Sequence, residues 1–313
     1  MRALVLDAYG LSPRGMDLPK PSPGKGQVRV RVRATSVNPI DWKQASGMFR
    51  PILGARFPGF VPGYDLAGEV DEVGPGVSGF TPGQRVHARL SGSAAGANAE
   101  YALAGVDALQ QLPDSVDFAA GAGLPLAGMT ALQGLRDVCG LPLTGATGRV
   151  LVVGASGGVG HYAVQLARHA GAHVSAVCSG RNAALVRRLG AQEVVDYTQA
   201  DAFSGVAPFN AILDCVGVPV GEYLPRLLPG GCFASCLPGP SVFAHGLLNG
   251  LRGKKVRPVL LKGNAVDLGV LGGLASAGKL ETVVDSRFPA GQLAAAWERS
   301  RTGRAVGKII VEF

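Results

Sequence analysis

Short runs of apolar residues, alternating with polar ones and broken by Gly and Pro, fill the first third of the chain. Arg2–Leu6, Gln27–Ala34, Asp65–Val73 and Arg85–Leu90 have the patterning of strands, and Pro21–Gly24, Gly74–Gly76 and Thr81–Gly83 punctuate them. From about Phe118 the texture changes. A helical spacing through Leu126, Thr130 and Leu135 leads into strand-like runs near 150–154, 173–178, 193–197, 209–216 and 231–237. Helical segments lie between them, such as Asn182–Leu189, closed by Gly190. This alternation predicts an α/β fold with a doubly wound parallel sheet. Beyond it come a helix-like Gly291–Ser300 and a last strand, Gly307–Phe313. The pattern divides the chain into a β-rich part (1–118), an α/β part (119–255) and a tail (256–313). No internal repeat is present.

Between the run Arg149–Val153 and a helical pattern starting near Val159 lies Gly154-Ala155-Ser156-Gly157-Gly158-Val159-Gly160. A glycine pattern is weak evidence by itself in a chain with 47 glycines. Context decides: Val159, Ala163, Leu166, Ala167 and Ala170 share a helix face, Gly171 stops the helix, and His173–Cys178 reads as the next strand. Strand, glycine turn, helix and strand form the unit that binds a dinucleotide. Glycine at 154 makes the tight turn, 157 admits a pyrophosphate, and 160 lets the helix pack closely. The helix N-terminus then faces the phosphates. Sites that prefer NAD carry an acid about 20 residues past the first glycine. This chain has Cys178-Ser179-Gly180-Arg181-Asn182 there. Ser179 offers a hydrogen bond and Arg181 pairs with a 2′-phosphate, so NADPH is the expected cofactor.

Composition narrows the setting. An apolar share of 47% against 17% charged describes a globular chain of 313 residues with room for two cores. No segment approaches the ~18 uninterrupted apolar residues of a membrane span. Met1–Asp7 meets an acid at once with no small-residue cleavage site, so a secretory leader is not expected and a cytoplasmic location is. Cys139, Cys178, Cys215, Cys232 and Cys236 are scattered without a Cys-x-x-Cys or Cys/His cluster, which predicts free thiols and no metal. The net charge of +8 suits polyanionic ligands, nucleic acid included. Its densest stretch, Arg252-Gly-Lys-Lys-Val-Arg257 with Lys262 beyond, reads as an exposed connection or as an anion site.

Several segments together resemble the medium-chain dehydrogenase/reductase superfamily, in its zinc-free quinone oxidoreductase-like branch. They are Ser36–Trp42, Pro62–Val70, Phe80–Val86, Thr130-Ala-Leu, Val153–Gly160, Leu189-Gly-Ala, Asp196-Tyr197 and the terminal Gly307-Lys308-Ile-Ile, in family order across essentially the whole chain. The resemblance implies a GroES-like catalytic domain, a Rossmann domain, a C-terminal segment (256–313) that returns to complete the first, and a homodimer joined through Rossmann sheets, with the strand near 231–237 as an edge. It also implies Tyr197 as a further phosphate contact and Thr130 beside the nicotinamide. The loops Cys215-Val216-Gly217 and Leu237-Pro238-Gly239 would follow the carboxyl edge, and Gly307-Lys308 would close the cofactor cleft. The zinc enzymes of the superfamily carry Cys near the position of Asn38 and Gly-His-Glu at the position of Gly63-Tyr64-Asp65. Both soft ligands are missing, and Gln84–Tyr101 lacks the cysteines of a structural zinc lobe. Zinc-dependent alcohol oxidation is not expected.

The chemistry left is hydride transfer from NADPH to a quinone or α,β-unsaturated carbonyl, where hydrogen-bond donors suffice for the developing oxyanion. Asn38 either donates to that oxygen or shapes the turn before Pro39. Asp41 either orients Asn38 or begins a helix. Tyr64 is either a proton donor or an aromatic lining the cleft. An enoyl-thioester or tailoring enoyl reductase is the alternative within enzymes. A nucleic-acid-binding protein that keeps the fold is the alternative outside them, though clustered aromatics for base stacking are lacking.

Overall fold

The computed structural model describes residues 1–90, 96–249 and 253–313, in two compact units. Unit 1 comprises Met1–Met129, Lys262–Gly278 and Thr282–Phe313, and unit 2 comprises Thr130–Leu261 and Lys279–Glu281. The units therefore change over later than the changes of texture at 118 and 255.

Unit 1 begins with a small antiparallel pair, β1 (Arg2–Val5) and β2 (Arg14–Asp17). Its main sheet is built on β3 (Gln27–Val37), β4 (Asp65–Val73), β5 (Arg85–Arg89), β6 (Tyr101–Gly105) and β7 (Leu109–Gln111). Period-two patterning puts Val28, Val30 and Val32 of β3 in the core with Val86 and Ala88 of β5. On the other side of β3, Arg29 pairs with Asp71. The short helix α1 (Pro39–Ala45) follows β3 directly, with Pro39 at its first position. Next come α2 (Phe118–Gly123) and α3 (Pro125–Gln133), the latter running across the change of unit.

Unit 2 holds a six-stranded parallel sheet of β8 (Arg149–Val153), β9 (His173–Cys178), β10 (Glu193–Asp196), β11 (Phe209–Asp214), β12 (Leu227–Ser235) and β13 (Lys255–Pro258). The spatial order β10-β9-β8-β11-β12-β13 is that of a dinucleotide-binding sheet, reversing between β8 and β11. Its connections carry α4 (Gly160–Ala170), α5 (Ala183–Arg188), α6 (Val220–Tyr223) and α7 (Pro240–Asn249). The strand expected near 231–237 is not an edge: β12 lies between β11 and β13, and β13 takes the outer place. In sequence that sixth strand passes for a charged connection because only Val256 among its four residues is buried. Lys254, Lys255 and Arg257 thus sit on or beside an edge strand, while Arg252 lies outside the described residues.

The chain then returns to unit 1 with α8 (Ala265–Ser276), β14 (Val284–Pro289), α9 (Leu293–Arg301) and β15 (Lys308–Glu312). Strand β15 pairs in parallel with β14 and antiparallel with β3, bringing Ile309 opposite Val37 and Ile310 opposite Ser36. Trp297 of α9 packs with Leu4, Leu6, Phe60 and Tyr64 in a core beneath this corner. The C-terminal strand is therefore placed beside the start of α1.

Candidate active site

The glycine turn of unit 2 has the geometry of a phosphate cradle. Gly154 sits at φ +76°, and a Cβ there would overlap Val216 Cγ1. A Cβ at Gly160 would run into the Gly154 carbonyl and Ala155 Cα, so the first turn of α4 closes onto the loop only with glycine at that place. Around Gly157 the nearest atom is the Gly154 oxygen at 3.3 Å, which leaves the outer side open. Gly158 and Val159 complete the turn. The residues present fit a dinucleotide pyrophosphate at the N-terminus of an 11-residue helix.

Ser156 of this turn accepts a hydrogen bond from Asn182 Nδ2 at 2.9 Å, which joins the turn to the loop after β9. Sequence reasoning treated Asn182 as a helix start and missed this link. Arg181 is exposed, Ser179 is half-buried, and Tyr197 is 64% exposed in the turn after β10. Asp196 lies in register with Cys178, and its carboxylate accepts from the Thr198 amide and hydroxyl. Hydrogen bonding from the Thr198 amide, followed by that from its hydroxyl, holds Asp196 below the usual carboxylate range.

The loops after β11 and β12 are organised by Asp214, another residue the sequence reading passed over. Its Oδ1 accepts from the amides of Val216 (3.0 Å) and Gly217 (2.8 Å), and its Oδ2 from the Val218 amide (3.2 Å) and Ser235 Oγ (2.9 Å). Ser235 Oγ in turn accepts from the Leu237 amide. An acid directly before a glycine-bearing turn was the available signal. Val216 and Leu237 are exposed at these strand ends, Cys215 and Gly239 are half-buried, and Thr130 is buried on α3.

The catalytic candidates meet in unit 1, but as an internally engaged network. Asn38 is buried; its Nδ2 donates to Asp65 Oδ2 at 2.8 Å and its Oδ1 accepts from Lys308 Nζ at 2.7 Å. Ser36 Oγ donates to the same Asp65 oxygen at 2.9 Å, and the Leu126 amide donates to Asp65 Oδ1 at 3.0 Å. Asp41 Oδ2 accepts from the Asn38 amide at 2.7 Å, the reciprocal half of a capping box, while its buried Oδ1 has no hydrogen-bond partner. Burial raises the carboxyl of Asp41 to about 8, and burial also raises Asp65. Desolvation lowers the Lys308 ammonium against the pull of Asp65 and Asp41.

The geometry bears on three of the expected residues. Asn38 has no plainly free amide donor, because its groups hold Asp65 and Lys308. Tyr64 is only 1% exposed and donates its phenol to Gln44 Oε1 at 2.9 Å, so its hydroxyl is engaged within the core. Burial, reinforced by Asp41, pushes that phenol up to about 12. The Lys308 ammonium is buried against Asn38, and Gly307 packs on the Val283 carbonyl. The same groups do not fit a zinc ion, since an amide, a bonded phenol and an ammonium stand where soft or anionic ligands are needed. Among the described residues no group of three or more His, Cys, Asp or Glu side chains is placed to hold a metal.

Comparisons with known proteins agree with this architecture. Residues 24–114 match the family profile "Alcohol dehydrogenase GroES-like domain", and residues 189–311 match "Zinc-binding dehydrogenase". The chain is 41% identical to a chloroplast envelope quinone oxidoreductase homolog of Arabidopsis thaliana, covering 100% of this chain and 98% of the relative. It is 34% identical to a trans-enoyl reductase of Aspergillus terreus over 89% of this chain and 84% of the relative. Among solved structures it is similar to the quinone oxidoreductase from Coxiella burnetii, with a TM-score of 0.89, 30% identity, and coverage of 100% and 99%.

Proposed function

Because this chain belongs to the quinone oxidoreductase-like branch of the medium-chain dehydrogenase/reductase superfamily, we propose that it is a metal-free, NADPH-dependent reductase of quinones or α,β-unsaturated carbonyls. The oxidoreductase class follows from the family; the cofactor, acceptor and metal independence are our reading. The observation that carries it is the pairing of the 154–160 turn with a loop that presents Ser179 and Arg181 and has no acid at the end of β9.

In this reading α4, Gly157 and Ser156 hold the pyrophosphate, and Arg181, Ser179 and Tyr197 hold the 2′-phosphate. Thr130 and the Asp214-ordered segments Cys215–Gly217 and Leu237–Gly239 position the nicotinamide, which supplies the hydride when bound. Asn38, Asp41, Asp65 and Lys308 act as a rigid support in unit 1. No Lewis acid is required, because a conjugated acceptor takes hydride at a carbon remote from its oxygen and solvent supplies the proton. Steady-state oxidation of NADPH and NADH with quinones, enones and enoyl thioesters, with metal analysis alongside, tests the whole. Stoichiometric zinc, or tighter binding of NADH than of NADPH, overturns it.

The similarity to a trans-enoyl reductase favours a second reading, reduction of an enoyl thioester with basic residues of the 252–262 stretch holding a phosphopantetheine arm. Strong inhibition by coenzyme A is its signature, and indifference to coenzyme A removes it. We further propose a homodimer through the outer edge of β13, and a reducing, cytoplasmic setting in keeping with five free thiols. Among the described residues no helix is long and apolar enough to cross a membrane.

A further inference from the structure

With the expected catalytic side chains engaged among themselves, one cation in their neighbourhood is left without a bond. Arg89 ends β5 directly opposite Asp65 of β4. It is half-buried, and its Nε is sealed from solvent with no hydrogen-bond partner. Among the described residues it forms no hydrogen bond or ion pair through any side-chain nitrogen, and its guanidinium carbon lies 5.9 Å from the centre of the Tyr64 ring. Asp65 does not neutralise it by contact, because the Asp65 oxygens are taken by Ser36, Asn38 and the Leu126 amide. Buried donors are paired in nearly all native proteins, and an orphan calls for a ligand. Gly263 lies close beside the guanidinium, where a Cβ would come within 3.1 Å of Arg89 Cδ and Nη1 and crowd it.

We propose that Arg89 is an oxyanion anchor: its unengaged N–H groups bind the oxygen of a carbonyl acceptor as that oxygen becomes an enolate or phenolate. This rests on the reductase reading and names the group that handles the acceptor. A bound nicotinamide would supply the hydride for a new C–H bond at the acceptor and would itself be oxidised; the acceptor's π pair would then move onto oxygen, where the guanidinium would hold the charge until a solvent proton completed the reduction. A planar, permanently charged donor fork matches that oxygen better than the Tyr64 phenol, which is already bonded. Arg89 also places a positive field beside the buried Asp65, a structural service that needs the charge but not the free donors.

The test uses 4-nitrophenol, whose ionisation is visible in its absorbance, with the protein saturated with NADP⁺. Bound nitrophenol is expected to ionise at lower pH than free nitrophenol. Arg89→Met should weaken binding about tenfold or more and abolish that displacement, with Arg89→Lys intermediate. Gly263→Ala, which crowds the guanidinium without removing its charge, should weaken binding as well and serves if Arg89→Met does not fold. NADPH affinity, read by fluorescence, should be unchanged in all three. Nitrophenolate binding indifferent to Arg89→Met or Gly263→Ala overturns the proposal. Arg89-dependent nitrophenolate binding in a protein that reduces neither quinones nor enones supports the anchor while sinking the reductase reading.

Discussion

Lys308 Nζ donates to Asn38 Oδ1 at 2.7 Å, and both side chains are buried. The contact ties the final strand to the residue that opens α1, and through Asn38 Nδ2 it reaches Asp65. Removing the ammonium leaves Asn38 Oδ1 without its donor and takes from the buried Asp65 its largest stabilising charge. Lys308→Met is therefore expected to destabilise the protein by about 3 kcal/mol, measured by urea unfolding at neutral pH. Adding Asp65→Asn should recover part of the loss, as coupled neighbours do. Simple additivity of the two changes would count against the network.

Asp41 makes stability depend on pH. Its carboxyl rises from 3.8 in the unfolded reference to about 8 in the fold, so the folded state keeps a proton that the unfolded state releases. The sign follows: this contribution is complete below about pH 4, declines as pH rises toward 8, and is absent above. Asp41→Asn, which mimics the protonated form, should match the wild type near pH 4 and exceed it by on the order of 2–5 kcal/mol at pH 9. Denaturant midpoints across that range decide it; parallel curves for the two proteins would refute the assignment.

Tyr64→Phe should leave kcat within about twofold, because the phenol serves Gln44 and not an acceptor. Loss of one neutral buried hydrogen bond costs about 1 kcal/mol of stability. A hundredfold fall in kcat with a native melting profile would restore Tyr64 as a proton donor.

Arg181→Ala should raise the Kd for NADPH about tenfold or more and leave that for NADH nearly unchanged, since only the former carries the 2′-phosphate. Fluorescence titration of both cofactors provides the comparison. Equal weakening would mean that Arg181 supports the loop and does not read the phosphate.

Local signals were legible in proportion to how short their range is. The 154–160 turn could be read because its spacing is local, as the clash of a 160 side chain with the Gly154 carbonyl shows, whereas the clash of a 154 side chain with Val216 is a long-range contact that the spacing does not reveal. Strand β13 was not legible, because an edge strand with one buried residue has almost no period to detect. Asp214 and Asn182 were missed because each looks like an ordinary loop residue until its partners are known.

The chain alone determined the alternation of strands and helices, the phosphate turn, and the absence of soft zinc ligands at positions 38 and 64, all of which depend on residue type and short spacing. Only the tertiary structure decided which polar side chains are already engaged. Long-range register brings Lys308 onto Asn38 and Arg89 opposite Asp65. Whether a buried group is bonded depends on such neighbours, which no local pattern encodes. By that route Asn38, Asp41 and Asp65 are found buried and bonded within the fold, while Arg89 makes no side-chain hydrogen bond among the described residues.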